Sequence, residues 1–498
     1  MKLCLIGHSY KYATEQILLQ TLDGERPEFV ADPTEIADGE NHARLQLDIL
    51  QKPDALDSAS ATARMRYNGK SYRGEARTSH LPPESDSVAR SRELQRTIKL
   101  AFFRAAVKAT SRELPWGATT GIRPSTLIAR RVSRGVTLDD ATARLAKTFY
   151  VTPKRAALAR DCAKAELDAL DALTPRSVAL YIGVPFCPTR CTYCSFVSQS
   201  VEKSLAQLPL FLEALHREID ALASAIRFSG AEIAAIYVGG GTPTTLSAAQ
   251  LNDLLMHVNA SFDLSHLREY TVEAGRPDTI TAEKLARMRA RGVTRISVNP
   301  QTMQDEVLRA IGRRHTTEDT YRAMRLAREA GFDVINMDLI AGLTDDTLAG
   351  FRDSLERVLE LVPQNVTVHT LSIKRGSQLQ MDAAEIEHNG VSAMLNYAYD
   401  ALRSNGYSPY YLYRQKFTSG GFENTGWTKP GAENLYNIIM MDEIRSVFAL
   451  GSGVTKLIAP AGRIVREFNP KYPYEYIARI EDIIEKKQSI REFLAKLP

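Results

Sequence analysis

The chain has 498 residues, and at about 150 residues per domain it is long enough for roughly three folding units. Its composition, 44% hydrophobic, 8% aromatic and 24% charged, is that of a globular protein and excludes general disorder. The 63 Lys and Arg residues nearly balance the 59 Asp and Glu residues, and the net charge of +4 argues against a chain built for bulk nucleic-acid binding. No apolar run approaches the roughly 18 residues of a membrane-spanning helix, and the first residues predict a β-strand and not an export signal. We therefore expect a cytoplasmic protein without a membrane span.

Residues 1–80 predict a small β-rich domain, because three stretches with strand-forming residues are separated by polar segments. The charge changes sharply from here into the next region. Residues 1–50 carry 4 basic and 9 acidic side chains, whereas residues 61–110 carry 11 basic and 4 acidic ones. Two solvated faces that neutralise each other would explain this pattern. A docking surface for a polyanion or a partner protein would explain it as well.

Helical periodicity dominates residues 81–174, where apolar positions recur three and four residues apart. Leu173-Thr174-Pro175 then breaks the pattern and marks a predicted domain boundary. From Ser177 onward, strand-like and amphipathic helical stretches alternate, which predicts a parallel sheet with right-handed crossovers over residues 175–385. Ser247 and Gln250 have the spacing of a capping box and mark the start of one helix. The six predicted strands lie within residues 177–186, 232–241, 269–275, 295–301, 333–342 and 365–373.

Six such strand–helix units fit either an open doubly wound sheet or a partial (β/α)6 barrel, and the periodicity alone does not distinguish the two. In both architectures, ligands bind at the carboxyl ends of the strands. Residues 386–498 then predict an α+β extension that begins with a helix and continues into an aromatic-rich section. We expect this C-terminal module to lie on the substrate side of the protein.

Three of the five cysteines, Cys187, Cys191 and Cys194, lie within eight residues directly after a predicted strand. A structural zinc site takes four ligands, and no fourth Cys or His lies close in the sequence. A disulfide framework fits poorly with an odd number of thiols, and three inert buried cysteines rarely fall so close together. An iron–sulfur cubane explains the number, because three thiolates hold three irons and leave the fourth iron open to another ligand. Cys4 and Cys162 stand alone and are not expected to bind the cluster.

The CxxxCxxC spacing after Tyr181-Ile-Gly-Val-Pro-Phe186 resembles the radical S-adenosylmethionine (SAM) superfamily. The local pattern is similar to the oxygen-independent coproporphyrinogen III oxidase family, and within it to the HemZ-like branch, over about Pro115 to Ile458. The resemblance implies a partial (β/α)6 radical-SAM barrel that binds a [4Fe–4S] cluster through the three cysteines. It also implies that the open iron chelates SAM, so that electron transfer from the cluster releases a 5′-deoxyadenosyl radical.

The resemblance also assigns SAM-contacting residues. They are Tyr181, Tyr193, Gly240, Gly241, Thr242, Glu273, Gln301, Arg313 and Asp338. Glycines allow close backbone approach, an amide suits hydroxyl groups, and an arginine offers a forked donor to a carboxylate. Simpler explanations compete at three positions: Tyr181 as a core tyrosine, Glu273 as a solvated strand-end residue, and Arg314 as the alternative to Arg313. Because these positions follow five successive predicted strands, they favour the partial barrel over the open sheet.

The function that the resemblance implies is oxidative decarboxylation of coproporphyrinogen III to protoporphyrinogen IX, with a flavodoxin or ferredoxin as electron donor. Tyr411, Arg414 and Lys416 would suit a large apolar macrocycle with carboxylate arms. The chain departs from the oxidase pattern beside the cluster, with Phe196 in place of a fourth cysteine and Gly183 in place of a histidine. A haem-binding chaperone or insertion protein that keeps the cluster without oxidase activity is therefore the alternative. A radical enzyme that modifies RNA ranks third, and no nucleic-acid partner is expected.

Overall fold

The computed structural model describes residues 1–22, 25–51, 57–194, 199–200, 206–371, 388–414, 421–459 and 462–496. The chain divides into two compact units. The first comprises Met1–Arg160 and Tyr413–Glu423, and the second comprises Asp161–Leu412 and Asn424–Pro498. Within the described ranges, no helix has the length and apolar character needed to cross a membrane.

A five-stranded mixed sheet forms the centre of the first unit. In spatial order its strands are β2 (Glu28–Val30), β1 (Lys2–Ile6), β3 (His42–Leu50), β4 (Ser58–Tyr67) and β5 (Lys70–Thr78). β1 is parallel to both of its neighbours, whereas β3, β4 and β5 form an antiparallel meander. The β4–β5 hairpin turns at Asn68 and Gly69, both with positive φ, which is the pair that a two-residue type I′ turn favours. The region is β-rich, as predicted, with one helix that the sequence analysis did not anticipate, α1 (Lys11–Thr21).

Helix α2 (Ser87–Thr110) packs on this sheet. Its buried Phe102 shares one hydrophobic core with strand residues such as Leu45. At Gly74 in β5 a β-carbon would collide with the carbonyl oxygen of Ala101, so strand and helix can approach this closely only at a glycine. The boundary predicted near residue 80 therefore falls inside a single core. The remaining helices in this part of the chain are α3 (Ser125–Val132), α4 (Leu138–Phe149) and α5 (Pro153–Asp171), the last of which continues into the second unit.

Basic side chains of the first unit gather on one face of the sheet. Arg44, Arg64 and Arg73 lie directly opposite one another on β3, β4 and β5, and all three are exposed. Arg73 forms an ion pair with Glu75. Arg64 and Arg73 from the basic stretch and Arg44 from the acidic one thus form a local concentration of positive charge on the surface, and its role in docking stays a prediction.

Six parallel strands, hydrogen-bonded in chain order, form the centre of the second unit. They are β6 (Ser177–Val184), β9 (Glu232–Gly240), β10 (Glu269–Glu273), β11 (Arg295–Ser297), β12 (Val334–Ala341) and β13 (Asn365–Thr370). Two short strands, β7 (Phe186–Cys187) and β8 (Gln199–Ser200), pair with each other after β6. All six predicted strands are present, and their order confirms the predicted β/α architecture.

Helices cross between these parallel strands. They are α6 (Gln207–Ile226), α7 (Ala248–Ser261), α8 (Ala282–Ala290), α9 (Asp305–Ala310), α10 (Thr317–Glu329) and α11 (Leu348–Glu360). The predicted capping box at the start of α7 is confirmed. The Ser247 hydroxyl accepts a hydrogen bond from the N–H of Gln250 at 3.2 Å, and the Gln250 side chain accepts one from the N–H of Ser247 at 3.0 Å.

The C-terminal segment extends the parallel sheet at both edges. β15 (Glu423–Thr428) pairs antiparallel with β13, and β16 (Val447–Gly451) pairs parallel with β6. The predicted α+β extension is therefore continuous with the barrel strands. Its elements are α12 (His388–Ser404), β14 (Ser408–Arg414), β15 (Glu423–Thr428), α13 (Leu435–Asp442), β16 (Val447–Gly451), β17 (Val454–Ile458), β18 (Ile464–Phe468), α14 (Pro473–Ala478) and α15 (Ile480–Leu494).

The turn before α13 closes the amino ends of the strands. The guanidinium of Arg295 in β11 donates to the carbonyl oxygen of Ala432 at 3.0 Å. The carboxylate of Glu269 in β10 accepts from the N–H of Leu435, the first residue of α13, at 2.9 Å. Because side chains and the C-terminal segment fill this end, the carboxyl end of the strands is the place to look for a site.

Candidate functional site

The three clustered cysteines lie at the carboxyl end of the first parallel strand. Cys191 is 8% exposed, and Cys187 and Cys194 are half-buried. The N–H of Thr192 donates to the carbonyl oxygen of Ile311 at 3.1 Å, which ties the cysteine segment to the region after β11. None of these cysteines forms a disulfide within the described residues. In the part of the chain that the structure describes, no three Cys, His, Asp or Glu side chains are placed to hold a single metal ion.

An arginine that the sequence analysis did not single out, Arg276, lies beside the cysteines. It is 3% exposed and donates to Asp278 Oδ1 and to the Thr189 hydroxyl, both at 3.1 Å. The same guanidinium lies 3.8 Å from Cys191 Sγ. A buried cation at this distance attracts the negative charge that a metal-binding thiolate carries. Its place three residues after Glu273, at the end of the third barrel strand, was the sequence signal that could have identified it.

Replacing Arg276 with Met is expected to lower the reduction potential of a cluster bound by the three cysteines. A unit charge about 6 Å away contributes roughly 3 kcal/mol at an effective dielectric constant of about 20, so we expect a shift on the order of 100 mV to more negative potential. Redox titration followed by EPR measures it. Arg287→Met, which removes an exposed cation from α8, is the matched control. Equal potentials in the two variants would contradict the expectation.

The glycine-rich turn after β9 passes between Glu273 and the cysteine segment. A β-carbon at Gly239 would lie 2.8 Å from Glu273 Oε2, and one at Gly241 would lie 2.5 Å from the carbonyl oxygen of Phe186. Gly240 between them has a φ of +108°. Glycines are therefore needed here for close approach within the protein itself.

The backbone N–H groups of this turn already have partners. Those of Gly241 and Thr242 donate at 2.8 and 2.7 Å to carbonyl oxygens of the segment that leads to Cys187. The N–H of Gly240 donates to the Glu273 carboxylate, which helps to lower the pKa of that carboxyl. These N–H groups are therefore paired within the protein, and the assignment of Gly240, Gly241 and Thr242 to SAM binding stays a prediction. The Thr242 hydroxyl lies 3.5 Å from Cys187 Sγ.

Glu273 is the last residue of β10, as predicted. Its carboxylate accepts a hydrogen bond of 2.5 Å from the hydroxyl of Tyr237 in β9. Burial raises the pKa of Glu273 to about 7, although the hydrogen bonds from Tyr237 and the N–H of Gly240 act in the opposite direction. A cationic group of a ligand that binds beside Glu273 would favour the ionised carboxylate.

Asp338 lies within β12 and has partners inside the protein. Its Oδ1 accepts from the Asn336 amide at 2.7 Å, and its Oδ2 lies 3.6 Å from His369 Nε2 in β13. Burial alone would raise the pKa of Asp338, but the contacts with His369, Asn336 and Thr367 outweigh it and lower the pKa. The partner that this buried carboxylate requires is thus supplied by the protein, and a contact with ribose stays a prediction.

Gln301 and Arg313 both follow β11. The N–H of Gln301, whose φ of +71° is rare for a residue other than glycine, donates to the carbonyl oxygen of Asp338 at 2.9 Å. Arg313 is 8% exposed and donates to the carbonyl oxygen of Asn299 at 2.8 Å and to the Tyr193 hydroxyl at 3.3 Å. It therefore joins this region to the cysteine segment.

The two arginine candidates differ in where they point. Arg313 is buried against the cysteine segment, whereas Arg314 is exposed. Arg313 Nε and Asn299 Oδ1 are buried without a hydrogen-bond partner among the residues that the structure describes. A polar ligand group would satisfy both. The structure thus favours Arg313 as the candidate.

Tyr181 belongs to a tyrosine cluster formed with Tyr237 and Tyr436. Its ring centroid lies 6.3 Å from that of Tyr237 and 6.1 Å from that of Tyr436, and the latter two are 4.4 Å apart. All three pairs are stacked, with interplanar angles of 19° to 21°. This packing agrees with the interpretation of Tyr181 as a core tyrosine, and its contact with a cofactor stays a prediction.

The sequence analysis did not identify Tyr237 and His369 as site residues, because it did not consider which face or end of a strand each residue occupies. Tyr237 lies two residues before Gly239, and residues two apart on a strand share a face. His369 lies near the end of the sixth strand, at the edge where the predicted site residues gather. Alternation along predicted strands was the signal that could have identified both.

The expected contact of Arg414 with a substrate carboxylate is corrected by the structure. Its guanidinium is buried in the first unit and donates to the carbonyl oxygen and hydroxyl of Thr119, at 2.6 and 2.7 Å, and to the carbonyl oxygen of Gly421 at 2.6 Å. Three of its N–H groups therefore donate to protein acceptors, and the side chain holds the local backbone. Lys416 lies outside the described residues.

Of the two departures from the oxidase pattern, the structure explains one, Gly183. A β-carbon at Gly183 would collide with the carbonyl oxygen of Ser452, so a histidine has no room there unless the backbone shifts. Phe196 lies outside the described residues. The glycine is therefore explained by packing between β6 and the segment after β16.

The residues present at this edge fit an iron–sulfur cluster and SAM. Cys191 Sγ lies 3.8 Å from the buried Arg276, and Cys187 Sγ lies 3.5 Å from the Thr242 hydroxyl. Arg313 donates to the Tyr193 hydroxyl in the same cysteine segment, and its Nε has no hydrogen-bond partner among the described residues. Glu273 on β10 and Asp338 on β12 add two carboxylates from strands that lie on either side of β11. Anionic sulfur, a guanidinium and carboxylates match the charges of a cluster-bound amino acid with an attached nucleoside.

Comparison with known proteins agrees with this site. The Radical SAM superfamily model matches residues 181–356. HemZ of Bacillus subtilis (strain 168), an oxygen-independent coproporphyrinogen-III oxidase-like protein, is 37% identical over 421 residues, which are 83% of this chain and 84% of HemZ. The heme chaperone HemW of Lactococcus lactis subsp. lactis (strain IL1403) is 30% identical over 324 residues, which are 63% of this chain and 79% of HemW. The structure of the radical SAM coproporphyrinogen III oxidase HemN from Escherichia coli shares the fold, with a TM-score of 0.51, 24% identity, and coverage of 64% of this chain and 72% of HemN.

The fold and the site thus define a radical SAM protein, a partial (β/α)6 barrel whose cofactors are a [4Fe–4S] cluster and S-adenosyl-L-methionine. Within that superfamily, the chain belongs to the HemZ-like branch of the oxygen-independent coproporphyrinogen III oxidase family. The fold class and the family resemblance predicted from the sequence are both confirmed.

Proposed function

We propose that the protein catalyses the oxygen-independent oxidative decarboxylation of coproporphyrinogen III to protoporphyrinogen IX. The observation that supports this most strongly is the 37% identity to HemZ over 83% of this chain. The gathering of thiols, guanidinium groups and carboxylates at one edge of the barrel supports it further. Reduced flavodoxin or ferredoxin would supply the electron.

When bound, the cluster and SAM supply a 5′-deoxyadenosyl radical, which takes a hydrogen atom from the β-carbon of a propionate side chain. The propionate then loses carbon dioxide and one electron, and a vinyl group remains. Two propionates react in this way. The electron released at each propionate would pass to a one-electron acceptor, such as an oxidised flavodoxin or ferredoxin.

In this proposal, the protein's own residues bind the cluster and SAM and orient them. The three cysteines hold three irons, and Arg276 stabilises the negative charge on Cys191. Arg313 binds the methionine carboxylate, while Glu273 and Asp338 bind the amino group or the ribose hydroxyls. Burial of these groups excludes water, which would otherwise compete for their hydrogen bonds.

An anaerobic assay tests the proposal. The reconstituted protein, a reductant, SAM and coproporphyrinogen III are expected to yield 5′-deoxyadenosine together with a divinyl product, measured by liquid chromatography and mass spectrometry. Omission of SAM is the control for chemical reduction. Formation of 5′-deoxyadenosine without any vinyl product would exclude this activity.

A haem-binding chaperone is the second candidate, and two observations favour it. HemW, a heme chaperone, is 30% identical over 63% of this chain, and Phe196 replaces the fourth cysteine of the oxidase pattern. This function predicts stoichiometric haem binding and transfer to an apo-protein. If titration with haem gives no Soret band of a bound species, the chaperone function is rejected.

A further inference from the structure

The carboxylate of Glu273 accepts hydrogen bonds from two donors and occupies a space left by a glycine. The Tyr237 hydroxyl donates to Oε1 at 2.5 Å. The N–H of Gly240 donates to the same carboxylate. At Gly239 the missing side chain leaves room for it, because a β-carbon would lie 2.8 Å from Oε2 and 2.8 Å from Tyr237 Cε1. The glycine that precedes Gly240 and Gly241 therefore makes space for a tyrosine–carboxylate pair.

The tyrosine of this pair is itself held in place. Its ring stacks on Tyr436 with centroids 4.4 Å apart and an interplanar angle of 21°. Tyr181 stacks with both rings at a longer distance. Tyr436 lies in the first turn of α13, where its N–H donates a hydrogen bond of 3.3 Å to the carboxylate of Glu269. A ring packed in this way has few orientations available, so its hydroxyl presents a fixed donor.

We propose that Tyr237 is a positioning residue for SAM binding, because its hydroxyl fixes the orientation of the Glu273 carboxylate and stabilises the ionised form. The inference rests on the proposed contact between Glu273 and SAM. It does not depend on which porphyrin, if any, the protein converts. The ionised carboxylate pairs with the ammonium group of SAM or accepts from its ribose hydroxyls, whereas a protonated carboxyl loses the ionic part of that interaction.

Other groups around Glu273 determine the direction of the pH effect. Asp338 on β12 raises the pKa of Glu273 and His369 on β13 lowers it, while burial accounts for most of the rise to about 7. Tyr181 and Tyr436 face the same carboxyl as uncharged rings, because burial raises the pKa of each phenol. The affinity for SAM should therefore fall as the pH drops through about 7. Loss of the Tyr237 hydroxyl removes a stabilising donor and moves this midpoint to higher pH.

The test is Tyr237→Phe, which keeps the stacked ring and removes only the hydroxyl. SAM binding to the anaerobically reconstituted protein with an oxidised cluster is measured by isothermal titration calorimetry across a pH series. We expect about tenfold weaker binding at neutral pH, the usual effect of losing a hydrogen bond to a charged group, and a midpoint shifted to higher pH. Tyr270→Phe is the matched control, since it removes the hydroxyl of another buried tyrosine in the same strand as Glu273.

Two results would overturn the inference. Wild-type affinity and midpoint in Tyr237→Phe would show that the hydroxyl has no role. A loss of affinity equal at every pH would show that only packing was disturbed. Glu273→Gln provides a second measurement. In this variant the affinity for SAM should no longer depend on pH in this range, and adding Tyr237→Phe should lower that affinity little further. Iron content reports whether each variant folds and holds its cluster, and the assay contains no porphyrinogen, so the proposed oxidase activity can fail independently.

Discussion

Replacing Cys191 with Ala is expected to abolish the brown iron–sulfur absorbance of the anaerobically reconstituted protein. Two thiolates hold a four-iron cluster poorly, and the lost ligand is the one in contact with the buried Arg276. Bound iron and sulfide should fall to near background, and cleavage of SAM should stop with them. Visible absorbance together with iron and sulfide analysis measures the loss.

The two remaining cysteines provide the controls. Cys4 lies in β1 of the first unit and Cys162 in α5, and both are buried. Burial raises the pKa of each thiol, which keeps it protonated and unsuited to bind iron. Cys4→Ala and Cys162→Ala should therefore retain the full absorbance. A cluster that survives Cys191→Ala, or one that is lost with Cys162→Ala, would contradict the assignment of ligands.

Replacing Arg313 with Met is expected to weaken SAM binding on the order of thirtyfold or more, because the proposed guanidinium–carboxylate pair could not form. The change also leaves the carbonyl oxygen of Asn299 and the hydroxyl of Tyr193 without their donor. Unpaired buried acceptors of this kind cost about 2 kcal/mol of stability. Calorimetric titration with SAM and thermal unfolding of the apo-protein measure the two effects separately.

The neighbouring Arg314 provides a control that shows whether the effect is specific to Arg313. Arg314→Met removes the same charge one residue later, from an exposed side chain. It should change neither the affinity for SAM nor the melting temperature appreciably. If the exposed arginine has the larger effect on binding, the methionine carboxylate is bound by Arg314, and the geometric argument for Arg313 fails.

Much of the fold could be predicted because its signals are local. Each barrel strand is a short apolar stretch bounded by turn residues, and each crossover helix has an apolar face, so the alternation is visible along the chain. The capping box at Ser247 is a four-residue pattern and was predicted correctly for the same reason. Helix α1 (Lys11–Thr21) was missed because it lies inside a stretch that the strand-forming residues predicted to be β-rich.

The predicted site was less complete than the predicted fold. Tyr237, Arg276 and His369 were not singled out, because each gains its meaning from a partner on another strand or loop. Arg414 was misjudged for a related reason. Its charge and its aromatic neighbours suggested a contact with a substrate carboxylate. Its guanidinium instead donates a hydrogen bond to Thr119, which lies almost 300 residues away in the sequence.

The amino-acid sequence by itself was enough for the superfamily and the cofactors, and it predicts three cysteine ligands for the cluster. Three cysteines at fixed spacing after a strand are a local pattern that requires no knowledge of distant contacts. Only the tertiary structure decided which arginine points inward, why Gly183 and Gly239 must be glycines, and what holds Glu273. Those properties depend on which backbones and side chains come into contact across strands. Such contacts are set by strand register and by packing between distant segments, which no short stretch of residues predicts.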